Sequence, residues 1–214
     1  RSSSLLHFTK PAFRLRVLTN AATNGCSEMA TALVTGIITM MFNWTMLRYV
    51  GEDGIAAVTI IMYVLMFASS LYTGYSYGVA PMLSYYHGEK NQEKLKKLVL
   101  TSLKVIASIS LVTVIASFTA TKPLVSIFAR PDNPVYNLAV TGNRICTLAL
   151  FFIGFNIFAS GMFTALSNGI VSAVLAFSRS FVFMLVTMLV LPAFLGVNGI
   201  WLATPAAELM AMLL

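Results

Sequence analysis

The stretch NGCSEMATALVTGIITMMFN, residues 24–43, opens the first long apolar segment and carries a polar side chain at every third or fourth residue. The polar positions are Asn24, Glu28, Thr31, Thr35, Thr39 and Asn43. Helical spacing places these side chains in one sector of a helix, with apolar residues around the rest. An unpaired polar group in hydrocarbon costs about 2 kcal/mol or more, so this stripe predicts a helix face that meets protein or water.

The composition of the chain is that of a membrane protein. Hydrophobic residues make up 58% of the sequence and charged residues 10%, and the mean hydropathy is +0.83. Soluble domains carry about 25% charged residues. Six segments approach or exceed the roughly 20 apolar residues that cross a bilayer. They are residues 21–49, 55–86, 98–121, 135–166, 170–194 and 199–214. The sequence therefore predicts an all-α membrane protein with six transmembrane helices.

Basic residues are distributed unequally between the two ends of these segments. Nine lie on the side of the amino terminus and the 87–97 loop, against four on the other side. The nine are Arg1, Lys10, Arg14, Arg16, Lys90, Lys94, Lys96, Lys97 and Lys104. The positive-inside rule places that side in the cytoplasm. With six spans in a cell (plasma or inner) membrane, both ends of the chain are expected to be cytoplasmic.

The basic residues behind the net charge of +7 are expected to contact the headgroups of the lipid bilayer rather than nucleic acid, because they flank apolar spans without interleaved exposed aromatics. Residues 1–20 are expected to form a cytoplasmic linker between lobes, with either an amphipathic helix or a plain loop over residues 10–20. Residues 21–214 would be the transmembrane lobe. The sequence begins at Arg1 and its last segment is short of a full span, which suggests part of a larger membrane protein.

Enzymatic and metal chemistry find little support in the sequence. It contains no Ser/His/Asp arrangement, no phosphate-binding glycine loop and no histidine cluster. Cys26 is predicted to lie near the cytoplasmic side of the membrane and Cys146 near the external side, which is too far apart for a disulfide or a shared metal. We therefore expect neither catalysis nor a cofactor.

Two charges fall near the middle of predicted spans. Arg179 lies in the fifth segment and Glu208 in the sixth. A central arginine costs roughly 2.5 kcal/mol on insertion and normally faces the bundle interior. The two segments are joined by a tight turn and run antiparallel, so the depths of the charges match within about 4 to 10 Å. We expect a buried ion pair, serving either helix packing or transport.

Other polar and small residues allow two interpretations each. Asn156, Ser160 and Thr164 form a second stripe, which either lines a chamber with the first stripe or makes interhelical hydrogen bonds. Glu28 is either an ordinary acidic group near a helix start, or it lies at the cytoplasmic mouth of a cavity and attracts cations there. The Gly74-x-x-x-Gly78 pair predicts close helix packing.

Several motifs resemble the multidrug and toxic compound extrusion family, in particular the carboxyl-terminal lobe of its bacterial branch. They include Asn24-Gly25-Cys26-Ser27-Glu28-Met29, residues 48–57, Gly74-Tyr75-Ser76-Tyr77-Gly78-Val79-Ala80-Pro81, residues 161–166, Ser178-Arg179, and the residues from Gly196 to Glu208. The resemblance covers nearly the whole chain.

The resemblance implies a transporter of twelve spans in two six-helix lobes, exporting small organic cations in exchange for H⁺ or Na⁺. This chain would be one lobe, with the amino-terminal lobe as its partner. Glu28, Thr31, Thr35, Thr39, Asn43, Asn156 and Ser160 are the candidate residues of the substrate cavity.

The chain departs from one branch of that family, in which a glutamate lies at the middle of the first helix of this lobe. Thr35 occupies that depth here. In the branch that this chain resembles most, the coupling carboxylate lies in the first helix of the other lobe, and the resemblance implies the same position for this protein. Two alternatives stay open: a flippase of lipid-linked saccharides, which would need several basic cavity residues, and a membrane scaffold without transport.

Overall fold

The computed structural model describes residues 33–214, and each regular element in that range is a helix. The first helix, α1, covers residues 33–49. The helices that follow are α2 (Glu52–Gly88), α3 (Gln92–Thr119), α4 (Thr121–Ser126), α5 (Pro134–Cys146), α6 (Ala149–Ala165), α7 (Gly169–Phe177), α8 (Met184–Leu195) and α9 (Val197–Leu213). A π-helical turn, Ser178–Phe183, joins α7 to α8. The predicted all-α membrane fold is confirmed.

Three of the described helical rods are long and apolar enough to cross a membrane: α2, α3 and the continuous rod from Gly169 to Leu195. The bent pair of α5 and α6 makes a fourth if it is taken as one span. Helix α9 is apolar but shorter, at 17 residues. Together with α1 these rods follow the six predicted segments in order.

The residues between the predicted segments end one helix and start the next, either through a positive φ angle or through a side-chain cap. Gly51 and Gly196 have positive φ angles of 95° and 58° and separate α1 from α2 and α8 from α9. Asparagine side chains cap three helix starts: Asn91 Oδ1 accepts from Lys94 N, Asn133 Oδ1 from Val135 N, and Asn168 Oδ1 from Val171 N. Such caps satisfy amide groups that the first helical turn leaves unpaired.

The fourth predicted segment is not one straight helix, because the chain bends by 50° between α5 and α6. No proline lies at the bend. Instead, Thr147 Oγ1 donates to the carbonyl of Asn143 at 2.7 Å, a contact that bends helices by competing with the backbone ladder. The same hydroxyl lies 2.8 Å from Ser117 Oγ on α3, which ties the bend to its neighbour.

Residues Ile38–Leu214 form one compact unit, in which α6 packs against α2, α3, α7 and α9. Tyr72, Phe158 and Trp201 are its largest fully buried side chains. Many large apolar side chains point outwards, as expected for a surface that faces lipid.

The glycines at the helix contacts are not those predicted from spacing. A Cβ atom at Gly154 would lie 2.8 Å from the ring of Tyr72, and one at Gly142 would lie 2.6 Å from Ile61 Cδ1. Gly74 and Gly78 have no such neighbour within 4 Å, so the predicted close packing at this pair is wrong for the described residues. The reason is rotational: α2 buries the face that carries Tyr72 and Ser76, and both glycines lie on its exposed side.

Candidate functional site

A half-open cavity of about 1100 Å³ lies between α2, α6, α7, the π-helical turn and α9. Its polar lining residues are Thr73, Ser76, Tyr77, Ser84, Asn156, Ser160, Thr164, Arg179 and Ser180. The rest of the lining is mainly apolar, including Phe155, Leu175 and Met212. An apolar cavity with a few convergent polar groups is the usual form of a site for an organic ligand.

The charged wall of this cavity is built by three helical elements. Arg179 Nε lies 3.6 Å from Glu208 Oε1, and Asn156 Nδ2 donates to Glu208 Oε2 at 2.7 Å. The same Asn156 amide also donates to the backbone carbonyl of Glu208 at 2.9 Å. The structure thus brings together the two charges expected to pair, and it adds Asn156 as a third member.

The two charges differ in their access to the cavity. The side chain of Glu208 is 8% exposed, and Glu208 is not among the lining residues. The side chain of Arg179 is 24% exposed and lines the cavity directly. The positive end of the pair therefore meets the cavity, while the negative end lies behind it.

Local helix geometry explains these positions. Glu208 belongs to a buried stripe of α9 that also contains Trp201, Thr204, Pro205 and Ala211, at helical spacing. Arg179 is the second residue of the π-helical turn. A π-helical turn inserts an extra residue and redirects the side chains around it, a geometry frequently found at functional sites.

A group of three hydroxyls joins α7 to α6 along one side of the cavity. Ser172 Oγ lies 3.0 Å from Ser160 Oγ and 2.7 Å from Thr164 Oγ1. It also donates to the carbonyl of Ser160 at 2.9 Å. The second predicted stripe thus makes interhelical hydrogen bonds and lines a cavity at the same time.

Two candidate residues of the first stripe, Thr39 and Asn43, do not line this cavity beside Asn156 and Ser160; Thr39 is exposed and Asn43 is half-buried. Residues 38–49 of α1 supply no lining residue, so the alternative in which both stripes line one chamber is not found for Thr39 and Asn43. Thr35 is exposed on α1. Glu28 and Thr31 lie outside the described residues, as do Cys26 and the segment 1–20.

One residue beside this cavity was not predicted from the sequence. Ser172 is a lone serine in an apolar helix, and its pattern gave no stripe to signal its role. Its position, four residues after the Asn168 cap, would have placed it near the start of the helix that faces Thr164 across the loop. A polar residue on an otherwise apolar membrane helix is the signal that was available.

The remaining candidates for chemistry are structural. Cys146 is buried and its Sγ lies 3.3 Å from the carbonyl of Trp201, to which it donates. Within residues 33–214, no group of three His, Cys, Asp or Glu side chains has the proximity needed to hold a metal ion.

Solved structures of transporters share this fold. The inward-facing conformation of a multidrug resistance MATE family transporter of the MOP superfamily has a TM-score of 0.87 and 19% identity, covering 94% of this chain and 47% of that chain. An outward-facing structure described in the same words has a TM-score of 0.82 and 20% identity, covering 98% of this chain and 47% of that chain.

A MOP superfamily transporter from Pyrococcus furiosus, described as having a binding pocket of reversed polarity that suggests a different function, is also similar. It has a TM-score of 0.82 and 18% identity, covering 94% of this chain and 46% of that chain. The chain thus spans just under half the length of these transporters. No curated protein matches it by sequence.

The family model described as MatE matches residues 28–210, which is most of the chain. That match includes the Arg179 and Glu208 pair, the hydroxyls of α6 and α7, and all the helices that enclose the cavity. The chain therefore belongs to the MatE family.

Proposed function

We propose that this chain is the carboxyl-terminal lobe of a bacterial secondary active antiporter, which exports organic cations and other xenobiotics in exchange for H⁺ or Na⁺. The observation that carries the proposal is the match of the MatE family model to residues 28–210, in a chain whose helix α1 exposes Thr35 and Thr39 on an otherwise apolar surface. A membrane scaffold that does not transport has no need for polar side chains on such a surface, which argues against that alternative.

Alternating access is the mechanism that suits such a protein. Two lobes would rock about a central cavity, and the coupling ion would shift their equilibrium by binding one state more tightly than the other. The first stripe, with Glu28 at its start, is proposed to face that central cavity and to meet the cationic substrates. The exposure of Thr35 and Thr39 supports this proposal.

The coupling carboxylate is proposed to lie in the amino-terminal lobe. Glu208 is a poor candidate because both of its oxygens already have partners, Arg179 and Asn156. A coupling ion at Glu208 would have to displace a cation that the chain itself supplies. We therefore assign this pair to the architecture of the lobe, and the exchange of ions to its partner lobe.

The orientation proposed for the lobe follows its charges. Lys94, Lys96 and Lys97, in the first turns of α3, are exposed where anionic headgroups would attract them. This end of the lobe is proposed to face the cytoplasm of the cell (plasma or inner) membrane, with both ends of the chain on the same side.

A flippase of lipid-linked saccharides is the less favoured alternative. Such a protein would be expected to line its cavity with several basic residues. Of the residues that line the described cavity, Arg179 alone is basic.

Transport in vesicles tests the proposal. The full-length protein, reconstituted in liposomes, should drive movement of the fluorescent cation ethidium when a proton or sodium gradient is imposed, and dissipating that gradient should stop it. Liposomes without protein are the control. Coupled antiport of cations would be contradicted if ethidium movement were unaffected by both gradients, or if no movement occurred under the proton gradient and none under the sodium gradient.

A further inference from the structure

The cavity of this lobe has the wrong polarity for a cation. Arg179 is the only charged side chain among the described residues that line it, and the carboxylate of Glu208 lies behind it, almost fully buried. At the cavity surface the nearest full charge is therefore positive. An organic cation in this cavity would approach a like charge in a medium of low dielectric constant, which is unfavourable.

The guanidinium of Arg179 also has unused donors. An arginine carries five N–H groups in a planar fork that suits carboxylate and phosphate oxygens. Within residues 33–214, Arg179 makes the 3.6 Å ion-pair contact with Glu208 and donates no hydrogen bond. Its side chain is 24% exposed, so these donors are available from the cavity.

Several hydroxyls that line the cavity already have partners in the protein. Ser160 and Thr164 bond with Ser172, Thr73 Oγ1 donates to the carbonyl of Ser69, and Ser84 Oγ donates to the carbonyl of Ala165. The hydroxyls of Ser76, Tyr77 and Ser180 make no hydrogen bond within residues 33–214 and remain available to a ligand. Arg179 is the one charged group among the described lining residues, and a charged donor binds an anion more strongly than a neutral hydroxyl does.

The remaining lining suits hydrocarbon. Phe155, Leu175, Ala176 and Met212 contribute apolar surface near Arg179. The cavity volume of about 1100 Å³ exceeds that of most drug-sized pockets, which range from roughly 300 to 1000 Å³. A ligand that fills it would have a substantial apolar body and one acidic group.

We propose that this cavity binds an anionic amphiphile, with its carboxylate or phosphate on the guanidinium of Arg179 and its apolar body along α6 and α7. This site is distinct from the α1 stripe assigned to cationic substrates. It does not depend on the proposed antiport, because it follows from the charge and lining of the cavity alone.

Matched fluorescent probes test the proposal. Dansyl-undecanoate and its neutral twin, dansyl-undecanamide, differ in the carboxylate alone and are titrated against the full-length protein in phosphatidylcholine nanodiscs. A hydrogen-bonded charge contributes about 1.5 kcal/mol or more, so the carboxylate should bind about tenfold more tightly than the amide. Equal affinity for the two probes would overturn the proposal.

Three variants locate the site. Arg179→Gln should abolish the preference for the carboxylate, whereas Arg144→Gln, on an exposed arginine of α5 that does not line the cavity, should keep it. Because Arg179→Gln leaves Glu208 buried without its cation, the double variant Arg179→Gln/Glu208→Gln provides a version with no unpaired charge. A preference retained in the double variant would overturn the proposal.

Glu208→Gln gives the opposite test, since it leaves Arg179 in place and removes its counter-charge. The preference for the carboxylate should increase in this variant, and an unchanged or smaller preference would contradict the role of Arg179. Phosphatidylglycerol nanodiscs then distinguish the source of the anion. A larger loss of carboxylate-probe affinity there for the unmodified protein than for Arg179→Gln would identify an anionic lipid as a competitor, because repulsion by the charged surface weakens binding to both proteins equally. An equal loss would identify a free carboxylate amphiphile; both results retain the site.

No gradient is present in these titrations. If ethidium efflux fails while the carboxylate preference is found, the proposed antiport is wrong and the anion site stands. If efflux succeeds while the two probes bind equally, the proposed antiport stands and the anion site is wrong.

Discussion

Gly154 and Tyr72 show how much of the packing between α2 and α6 depends on single side chains. The Tyr72 hydroxyl donates to the carbonyl of Leu150 at 2.9 Å and lies 2.6 Å from Thr113 Oγ1. Its ring lies against Gly154, where a Cβ atom would be 2.8 Å from two ring carbons. The absence of a side chain at Gly154 therefore allows Tyr72 to bridge α2, α3 and α6.

We predict that Gly154→Ala destabilises the lobe by about 1–3 kcal/mol, because the added methyl must displace a ring that is fully buried and hydrogen-bonded. Gly74→Ala is the matched control: nothing lies within 4 Å of its Cβ position, so it should be neutral or slightly stabilising. The stability of both variants is measured as a melting temperature in a Cys26→Ser background, with unfolding followed by dye labelling of the buried Cys146. Equal melting temperatures would refute the close contact at Gly154.

Residue depth was predictable from the sequence, but residue partners were only partly so. Arg179 and Glu208 were expected to meet because each interrupts an apolar segment and a tight turn fixes how their helices run. The bond from Asn156 to Glu208 could not be foreseen, since spacing gives the face of a helix but not its rotation against a neighbour. The same limit made the prediction for Gly74 and Gly78 wrong.

Helix α7 is attached to the lobe by polar contacts more than by apolar burial. Ser172 is the one buried residue of α7, and it makes the hydrogen bonds to Ser160 and Thr164 on α6. The other side chains of this helix are half-buried or exposed. A helix held in this way should open more readily than α6, which is packed on several sides.

We expect Ser172→Ala to loosen α7. Interhelical hydrogen bonds in membranes contribute about 0.6 kcal/mol each, so losing those of Ser172 should cost about 1–2 kcal/mol and raise local opening by about tenfold. Hydrogen exchange of the amides from Gly169 to Phe177, measured in detergent, reports this opening. Ser108→Ala, which removes a local bond to the carbonyl of Lys104 on exposed α3, should leave α7 unchanged. Unaltered exchange in Ser172→Ala would mean that apolar contacts hold the helix.

The turns between the six membrane segments were predicted from the sequence, but the bend and the π-helical turn inside two of the segments were not. Turns rich in Gly, Asn and Pro separate the six segments, and their backbone preferences are local enough to be visible in sequence. The bend at Thr147 and the π-helical turn at Ser178 contain no proline or glycine that would signal them. At the bend, the Thr147 hydroxyl competes with the regular backbone ladder and also contacts Ser117 on α3, a contact that exists only in the folded lobe.

At the scale of the whole molecule, the outer surface of the lobe is apolar except where it is expected to meet headgroups or the second lobe. Large side chains such as Phe67, Ile170 and Phe194 are more than 70% exposed, as lipid contact requires. The exposed threonines of α1 depart from this pattern. They mark the face that the proposed transporter would turn towards its central, water-filled cavity.

Cysteine labelling tests that face. In a background without Cys26 and Cys146, Thr35→Cys should react with a membrane-impermeant thiol reagent in one conformation of the full-length protein. Ile38→Cys should not, because Ile38 is only 9% exposed and belongs to the buried row of α1 that continues with Phe42 and Met46. Equal labelling of both positions would contradict the assignment of the stripe to a cavity.

The π-helical turn has a consequence for how the chain tolerates changes in length. One extra residue in a regular α-helix would turn the two halves of a rod against each other by about 100°, and the π-helical turn absorbs that residue. In this phase Ser172 bonds to α6 in one half while Thr187 Oγ1 bonds to the carbonyl of Ala203 on α9 in the other. Deleting one residue between Ser178 and Phe183 would let the rod close into a regular α-helix with its two halves in the same phase, so both sets of bonds could still form. A deletion elsewhere in the rod would instead turn every side chain that follows by about 100°, which makes the π-helical turn the place where this rod best tolerates the loss of a residue.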